Sequence, residues 1–402
     1  MTLPRPVVAM LALTASMTLL AILAFALDRG DVVAIVLAAL LAVAAVIALV
    51  TAGPSVLVAV WRRWARDRHV LEFYELVLST HDESRLGDIA DMMEMVIGQA
   101  RTTPARYLGF GQPPVIVQTQ CMIGASDQPE VYLQIGCMPR LAALLEAALH
   151  VAYPDVRLGW REAGQERQAT VPLSFEPRAV TRWRKSRSFI HPVMPHDPDT
   201  STPPLRAVIA AQVAAAEPTV LRFTIVPARE MTERFARRRY HRHENQLDRA
   251  SVWGLREAGL RGKLASRELT TASLALDHAL AHCVIEVAST SERAAEAVGS
   301  ALRAHRGPNR LYAETLIRRR AALRRFTEHR TPILLDVTFR RLLSAQELAF
   351  LLALPGAEAK DAPLRRLRRP RLPATPGALT APAGQEQWST ADTIDMPMED
   401  RC

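Results

Sequence analysis

The sequence predicts an α+β protein in which an N-terminal two-helix transmembrane hairpin precedes two β-α-β (ferredoxin-like) modules with additional helices. Two long uncharged apolar runs open the chain of 402 residues and predict the hairpin. After residue 113, short β-branched runs alternate with helical patterns, which is typical of helices packed on one face of an antiparallel sheet. The helix-then-strand order occurs twice, and this repetition predicts two modules.

The predicted membrane segment and its flank occupy residues 1–68. Residues 7–27 and 32–53 are apolar runs of 21 and 22 residues, and a helix of either length crosses ~30 Å of hydrocarbon. Residues 28–31 between them are only long enough for a tight turn. The Trp- and Arg-rich flank that follows predicts a cytoplasmic membrane interface. It consists of Trp61, Arg62, Arg63, Trp64 and Arg66.

A cleaved signal peptide is a competing interpretation of the first apolar run, because Ala24-Phe25-Ala26 resembles a cleavage site. The run is longer than a usual signal-peptide core, however, and a second run follows directly. In both interpretations the Arg-rich end of the second run faces the cytoplasm. We therefore expect a multi-pass protein of the bacterial inner membrane, with its body in the cytoplasm.

Shifts in periodicity and composition divide the rest of the chain into five segments. We expect a helical connector, a first α+β module, a basic helical insert or hinge, a second α+β module, and a basic linker with a disordered acidic tail. These segments are residues 69–112, 113–227, 228–270, 271–356 and 357–402. In the first module, strand-like runs at 115–123 and 131–137 precede a helix that begins at Pro139, a residue favoured at the first helical position.

The chain carries a net charge of +9, and nearly all of its cations are Arg. Two Arg clusters lie on predicted helices. They are Arg234, Arg237, Arg238, Arg239 and Arg242, and Arg318, Arg319, Arg320, Arg324 and Arg325. Such clusters can neutralise DNA phosphates, rest on anionic lipid headgroups or bind a partner protein. The remaining interpretation is that they are solvated helix faces that pair internally with Glu residues.

Catalytic motifs are missing from the sequence. Gly262-Lys263 is followed by Leu264, and Glu257 stands where a Walker A loop needs its first Gly, so we reject a P-loop. His278 and His282 are spaced for one helix face but have no evident third ligand, which favours a packed or surface pair over a metal site. We therefore predict a protein that is not an enzyme and has no cofactor, with Cys121 and Cys137 as buried thiols.

One stretch resembles a known family. The segment Ser344-Ala345-Gln346-Glu347-Leu348-Ala349, a Leu-Pro end and the Arg- and Pro-rich connector at 364–373 are similar to elements of membrane-anchored conjugative ATPases. These are the coupling-protein and HerA/FtsK-like group. Asn309-Arg310-Leu311 resembles a further element of that group. The resemblance implies the N-terminal membrane-anchored region of such ATPases without the ATPase core, and no catalytic residue carries over.

These observations predict a non-catalytic inner-membrane component of a conjugative DNA-transfer or type IV secretion apparatus, which anchors or positions a DNA-pumping ATPase. The expected partners are membrane lipid, a P-loop ATPase or other secretion-system subunits, DNA and further copies of the chain. Two alternatives stay open. One is a general membrane-anchored adaptor unrelated to DNA. The other is a membrane-bound enzyme, which would require His278, His282 and acidic residues to converge.

Overall fold

The protein was analysed as a computed structural model that describes residues 70–79, 85–101, 112–123, 128–159, 169–195, 202–252, 260–304, 307–316, 319–330, 340–355, 359 and 364–367. The strands are β1 (Glu72–Ser79), β2 (Val115–Ile123), β3 (Pro129–Cys137), β4 (Arg157–Leu158), β5 (Ala179–Lys185), β6 (Thr219–Pro227), β7 (Leu280–Ser289), β8 (Leu311–Ala313), β9 (Leu342–Ser344) and β10 (Arg366–Leu367). The helices are α1 (Leu86–Ala100), α2 (Pro139–Ala152), α3 (Pro204–Ala214), α4 (Glu230–Val252), α5 (Leu260–Asp277), α6 (Glu292–Ala301), α7 (Arg319–Thr327) and α8 (Ala345–Leu352).

All of these strands join one sheet, in the order β10-β1-β3-β2-β6-β7-β5-β8, with β4 on β1 and β9 on β7. Every pairing is antiparallel except that of β1 with β10. The strand β6 lies at the centre, and all nine of its residues are buried. A strand buried along its whole length needs covering layers on both faces, and both faces of this sheet are covered.

The predicted pair of ferredoxin-like modules is wrong. The long pairing of β6 with β7, from Thr219↔Ser289 to Pro227↔Ala281, joins the two proposed modules into one sheet. In addition, β5 of the first proposed module pairs with both β7 and β8. Apolar runs reveal where strands are but not which strands pair, so the module boundary was drawn through the middle of a sheet.

The transmembrane part of the predicted fold class is also not found. No described helix is both long and apolar enough to cross a membrane. The predicted hairpin at residues 7–53 and its flank from Trp61 to Arg66 lie outside the described residues. Where a helical connector was expected, the chain forms strand β1 before helix α1, and the buried side chains at 74, 76 and 78 alternate with the more exposed ones at 75 and 77.

The main core lies between one face of the sheet and helices α1, α2, α3, α6 and α8. It includes Ile97, Leu145, Val208, Val298 and Leu348, each at most 1% exposed. Helix α2 begins with Pro139 as predicted, and β2 and β3 confirm the strands expected at 115–123 and 131–137. These elements of the main core therefore follow from the two-residue apolar repeat of the strands and the helical apolar repeat of α2.

The opposite face of the sheet is covered by α7 and by residues 169–178. A small cluster of Val220, Ala288 and Phe326 packs there with Phe175. A third cluster, which includes Phe189, joins α4 to α5 through Tyr240 and Leu276. The Tyr240 hydroxyl donates to the Leu269 carbonyl oxygen at 3.2 Å, which fixes α4 against α5.

Candidate functional site

The outer face of α4 is an exposed basic surface. Met231, Phe235, Arg238 and Arg242 follow one stripe, because residues three and four apart lie above one another on a helix. All four are exposed, and Met231 is 77% exposed. They lie opposite the buried side of the helix, where Ala236 is. From Met231 to Arg242 the stripe is about 17 Å long at 1.5 Å per residue.

The acidic side chains described on α4 are already engaged. Glu230 pairs with Arg234, Glu233 pairs with Arg101 of α1, and Glu244 lies 3.2 Å from the His241 ring nitrogen. This leaves Arg237, Arg238 and Arg242 with no described carboxylate within ion-pair distance. The predicted cluster on α4 is therefore exposed, and three of its five Arg residues have no described carboxylate within ion-pair distance.

The second predicted Arg cluster, on α7, has a different environment. Arg319 pairs with Glu292 of α6, and the Nε of Arg324 lies 2.8 Å from an oxygen of Glu328. Arg320 is exposed, Arg325 is half-buried, and Arg318 lies outside the described residues. The structure therefore separates two clusters that look alike in sequence, because two cations of α7 pair with carboxylates of α6 and of the residues that follow α7.

A row of polar side chains crosses the sheet on the face that α7 covers. Strand register places Gln134 opposite Gln118, Gln118 opposite Arg222, Arg222 opposite Glu286, and Glu286 opposite Arg182. We call these five residues the polar ladder. The least buried of them, Gln134, is 7% exposed. Buried polar groups are stable only when they are hydrogen-bonded, and the ladder supplies most of its own partners.

The charges of the polar ladder do not balance. Arg182 donates from Nε and Nη2 to one oxygen of Glu286, at 3.0 and 2.5 Å. Arg222 donates to Gln118 at 2.9 Å and to the Phe326 carbonyl oxygen at 2.7 Å. Two buried guanidinium groups thus share one carboxylate. Burial lowers the pKa of Arg222 to about 10, although Glu286 opposes this shift.

Phe326 is the contact that holds α7 over Arg222. The guanidinium carbon of Arg222 lies 3.8 Å from the centre of the Phe326 ring, in a cation–π arrangement. No described residue accepts a hydrogen bond from the Nη2 of Arg222. The ring and the carbonyl group of Phe326 therefore stabilise the buried Arg222 cation and hold α7 against the sheet.

The sheet edge at β8 carries a second charged group. Glu314 accepts from Arg341 at 2.5 Å and lies 3.0 Å from Arg184. His282 of β7 is near Arg341, and burial together with that guanidinium lowers the pKa of His282 to about 4. No described group pairs with the Nδ1 of His282. His282 is therefore neutral at physiological pH.

The two His residues considered for a metal site do not face each other on one helix. Helix α5 ends at Asp277, so His278 follows the helix and places its Nδ1 2.8 Å from Glu94 of α1. His282 lies inside strand β7. Across the described ranges, no three His, Cys, Asp or Glu side chains converge to hold a metal ion. Cys121 and Cys137 are buried thiols as predicted.

The residues that carry the family resemblance have structural contacts. Ser344 and Glu347 form the predicted capping box at the start of α8. Glu347 also lies 2.6 Å from the Lys185 ammonium group, and both side chains are buried. Burial lowers the pKa of Lys185, and Glu347 opposes that shift. Asn309 closes the loop at residues 186–191 by donating to the His191 carbonyl oxygen at 2.7 Å.

An apolar cavity of about 40 Å³ lies within the main core. Its walls include Met92, Met93, Leu133 and Phe223, and two residues with hydroxyl groups, Thr119 and Tyr153, also line it. The Thr119 hydroxyl already donates to Gln212 at 3.0 Å. The cavity is a gap in core packing that two flexible Met side chains border, as expected for Met in irregular cores.

The polar ladder is the feature that sequence reasoning missed. Its signal was present as single polar residues at inward positions of apolar strands, for example Arg222 within a β-branched run. Such a residue is surprising in a buried strand, because charged side chains are almost never fully buried unless paired. Its partners lie far away in sequence, so the ladder becomes visible only once the strand register is known.

Comparison with known proteins assigns no family to this chain. No protein-family model matches the sequence, and a search of curated proteins finds no match. The fold and the site together define an α+β protein built on one mostly antiparallel sheet, with a basic helix that exposes Arg237, Arg238 and Arg242 at its surface.

Proposed function

We propose that this chain is a non-catalytic component of a conjugative DNA-transfer or type IV secretion apparatus, which positions a DNA-pumping ATPase and contacts DNA through the outer face of α4. The site of action that we propose is the bacterial inner membrane, with the described part on the cytoplasmic side. The Arg- and Trp-rich sequence from Trp61 to Arg66 supports that orientation.

The observation that carries this proposal is the charge state of α4. Arg237, Arg238 and Arg242 are exposed, and the acidic residues described on the same helix pair with other side chains. Exposed cations that no carboxylate neutralises bind phosphates and release the counterions of the nucleic acid. Phe235, which is 49% exposed on the same stripe, adds an aromatic face on which a base can stack.

DNA binding by the full-length protein tests the proposal, with fluorescence anisotropy as the readout. Replacing Arg237, Arg238 and Arg242 together by Gln removes three phosphate contacts. We expect the affinity to fall at least tenfold and the slope of log K against log salt to become shallower by about 2 to 3.

The matched control replaces Arg319 and Arg324 of α7 by Gln. These two side chains are exposed and basic but already paired with carboxylates, so we expect less than a twofold change in DNA affinity. Equal losses in the two variants, or binding that does not depend on salt, would remove the support for α4 as a DNA contact.

The exposed Met231 and Phe235 favour a second candidate function, an adaptor that docks on anionic lipid. A basic helix face that also presents apolar side chains can lie on a bilayer surface. Co-sedimentation with vesicles containing about 30% anionic lipid separates the two functions. If the triple Gln variant loses vesicle binding while the wild-type protein shows no salt-dependent DNA binding, the adaptor function replaces the DNA contact.

The positioning of an ATPase is supported by the resemblance of residues 344–355 and 364–373 to coupling-protein elements. The genes next to this one provide the test. A neighbouring gene for a P-loop ATPase would support the proposed role. Neighbours that encode only metabolic enzymes would count against it.

A further inference from the structure

Strands β1 and β3 separate before either strand ends. They pair from Glu72↔Cys137 to Glu75↔Gln134. Continuing that antiparallel register would place Leu78 opposite Val131, since each step along β1 is one step back along β3. The structure shows no such pairing. The two strand ends, residues 76–79 of β1 and 129–133 of β3, therefore form an opening that we call the fork.

The fork is occupied by a segment from near the end of the chain. Arg366 and Leu367 pair in parallel with Leu78 and Ser79 of β1. The backbone N–H of Arg365 donates to the carbonyl oxygen of Val131 in β3 at 2.9 Å. Residues 364–367 thus lie between the two strands and supply hydrogen bonds to both.

Two side chains give this contact its chemical specificity. Leu364 is half-buried and packs against the main core. The Nη1 of Arg365 lies 3.4 Å from Glu75, and its guanidinium carbon lies 5.3 Å from the centre of the Tyr132 ring. An apolar residue followed by Arg on an extended backbone therefore fits the fork.

We propose that the fork is a peptide-binding site of the β-addition type and that residues 364–367 are its resident, exchangeable ligand. In β-addition, backbone hydrogen bonds give affinity and pockets for side chains give selectivity. Both parts are present here. The described side-chain contacts of the resident segment are those of Leu364 and Arg365, and the Arg365 side chain is 52% exposed, so we expect its release to require only local opening. The peptide class that would replace it is extended and carries Leu-Arg.

The test uses the full chain with the substitution Arg365→Pro, which removes the N–H that bonds Val131 and deletes the guanidinium group. The probe is a fluorescein-labelled peptide of residues 360–371 with the wild-type sequence. We expect it to bind the variant at one site per chain and at least tenfold more tightly than it binds the wild-type chain. A scrambled peptide of the same composition controls for its positive charge.

A second variant keeps the experiment decisive if the fork of Arg365→Pro collapses. Arg365→Ala retains the backbone hydrogen bond and loses only the side-chain contacts, so peptide binding between the wild-type and Pro values is expected. Adding Glu75→Gln to either variant should weaken the peptide at least threefold. Equal binding to wild-type and variant chains, equal binding of the scrambled peptide, or no binding at all overturns the proposal.

Discussion

Glu286 neutralises more buried charge than any other residue of the polar ladder. Arg182 donates two hydrogen bonds to it, and Arg222 faces it across the β6–β7 pairing. Because removing one partner of a buried ion pair leaves an uncompensated charge, we expect Glu286→Gln to lower the free energy of unfolding by about 3–5 kcal/mol. Urea denaturation measures this loss.

The comparison variant for Glu286→Gln is Arg222→Met. This substitution removes the excess cation while keeping a long apolar stem under Phe326. We expect it to cost less than half as much, because a carboxylate and one guanidinium remain paired. An Arg222→Met protein that is as destabilised as Glu286→Gln would show that the ladder does not carry an unbalanced positive charge.

His282 makes the stability of the fold depend on pH. Burial and the nearby Arg341 lower its pKa to about 4, whereas an unfolded His titrates near pH 6.5. The unfolded chain therefore binds more protons between about pH 6.5 and pH 4, so stability is lost as the pH falls through that window. We expect His282 to contribute about 2 kcal/mol of the stability difference between pH 7 and pH 4.5.

The variant His282→Gln isolates this contribution, because the carboxylates and His329 titrate in both proteins. Its unfolding free energy, followed by urea titration across this pH range, should fall less steeply than that of the wild-type chain. Parallel profiles for the two proteins would mean that His282 is not held neutral by its surroundings.

Two helix glycines, Gly299 of α6 and Gly98 of α1, differ in the space around them. A Cβ added at Gly299 of α6 would lie 2.5 Å from the Cε2 atom of Trp183 in β5, whereas one added at Gly98 of α1 would meet nothing within 4 Å. We expect Gly299→Ala to destabilise by about 1–3 kcal/mol through overpacking. Gly98→Ala should stabilise by up to about 1 kcal/mol, since Ala is the better helix former.

Thermal unfolding of both Ala variants measures the contrast. The two substitutions share the same intrinsic helix preference, so a difference in sign isolates the packing of α6 on Trp183. If Gly299→Ala were as stabilising as Gly98→Ala, α6 would not lie as close to the sheet as the structure shows.

Across the whole molecule, the sequence predicted elements better than it predicted their assembly. The strands β2 and β3, the Pro139 start of α2 and the Ser344 capping box of α8 were recognisable because each depends on a pattern within about ten residues. Strand pairing depends on residues far apart, such as Arg222 and Gln118, which are separated by 104 positions. Local patterns carry no information about such partners, so one sheet was predicted as two modules.

The candidate site likewise has a part that the local sequence predicted and a part that it did not. The Arg cluster on α4 was predicted as a possible DNA or partner contact from the local density of charge. Only part of the distinction between α4 and α7 is local: Arg324 pairs with Glu328 four residues later, whereas Glu292 comes from a different helix than its partner Arg319. The β1–β3 fork was equally hidden, since residues 364–367 are separated from β1 by most of the chain.

A continuous sheet predicts that the described body unfolds as one unit. Its strands β2, β6 and β7 pair along their lengths without a break, and all described residues belong to one compact unit. Leu133→Ala in β3 and Val298→Ala in α6 create cavities in the first and second proposed modules, at a cost of about 2–5 kcal/mol for the Leu change. Because the core is shared, either substitution should lower the free energy of opening for amide hydrogen exchange in β2 and in β7 by the same amount.

Hydrogen exchange at low urea concentration decides between one cooperative unit and two. Val117 of β2 and Ile285 of β7 are suitable reporters, because each lies at a central position of the sheet. The control is the substitution Leu144→Ala on the surface of α2. This side chain is 48% exposed, so its removal leaves little cavity. Exchange that quickens only in β2 for Leu133→Ala, and only in β7 for Val298→Ala, would restore two independently folding modules despite the shared sheet.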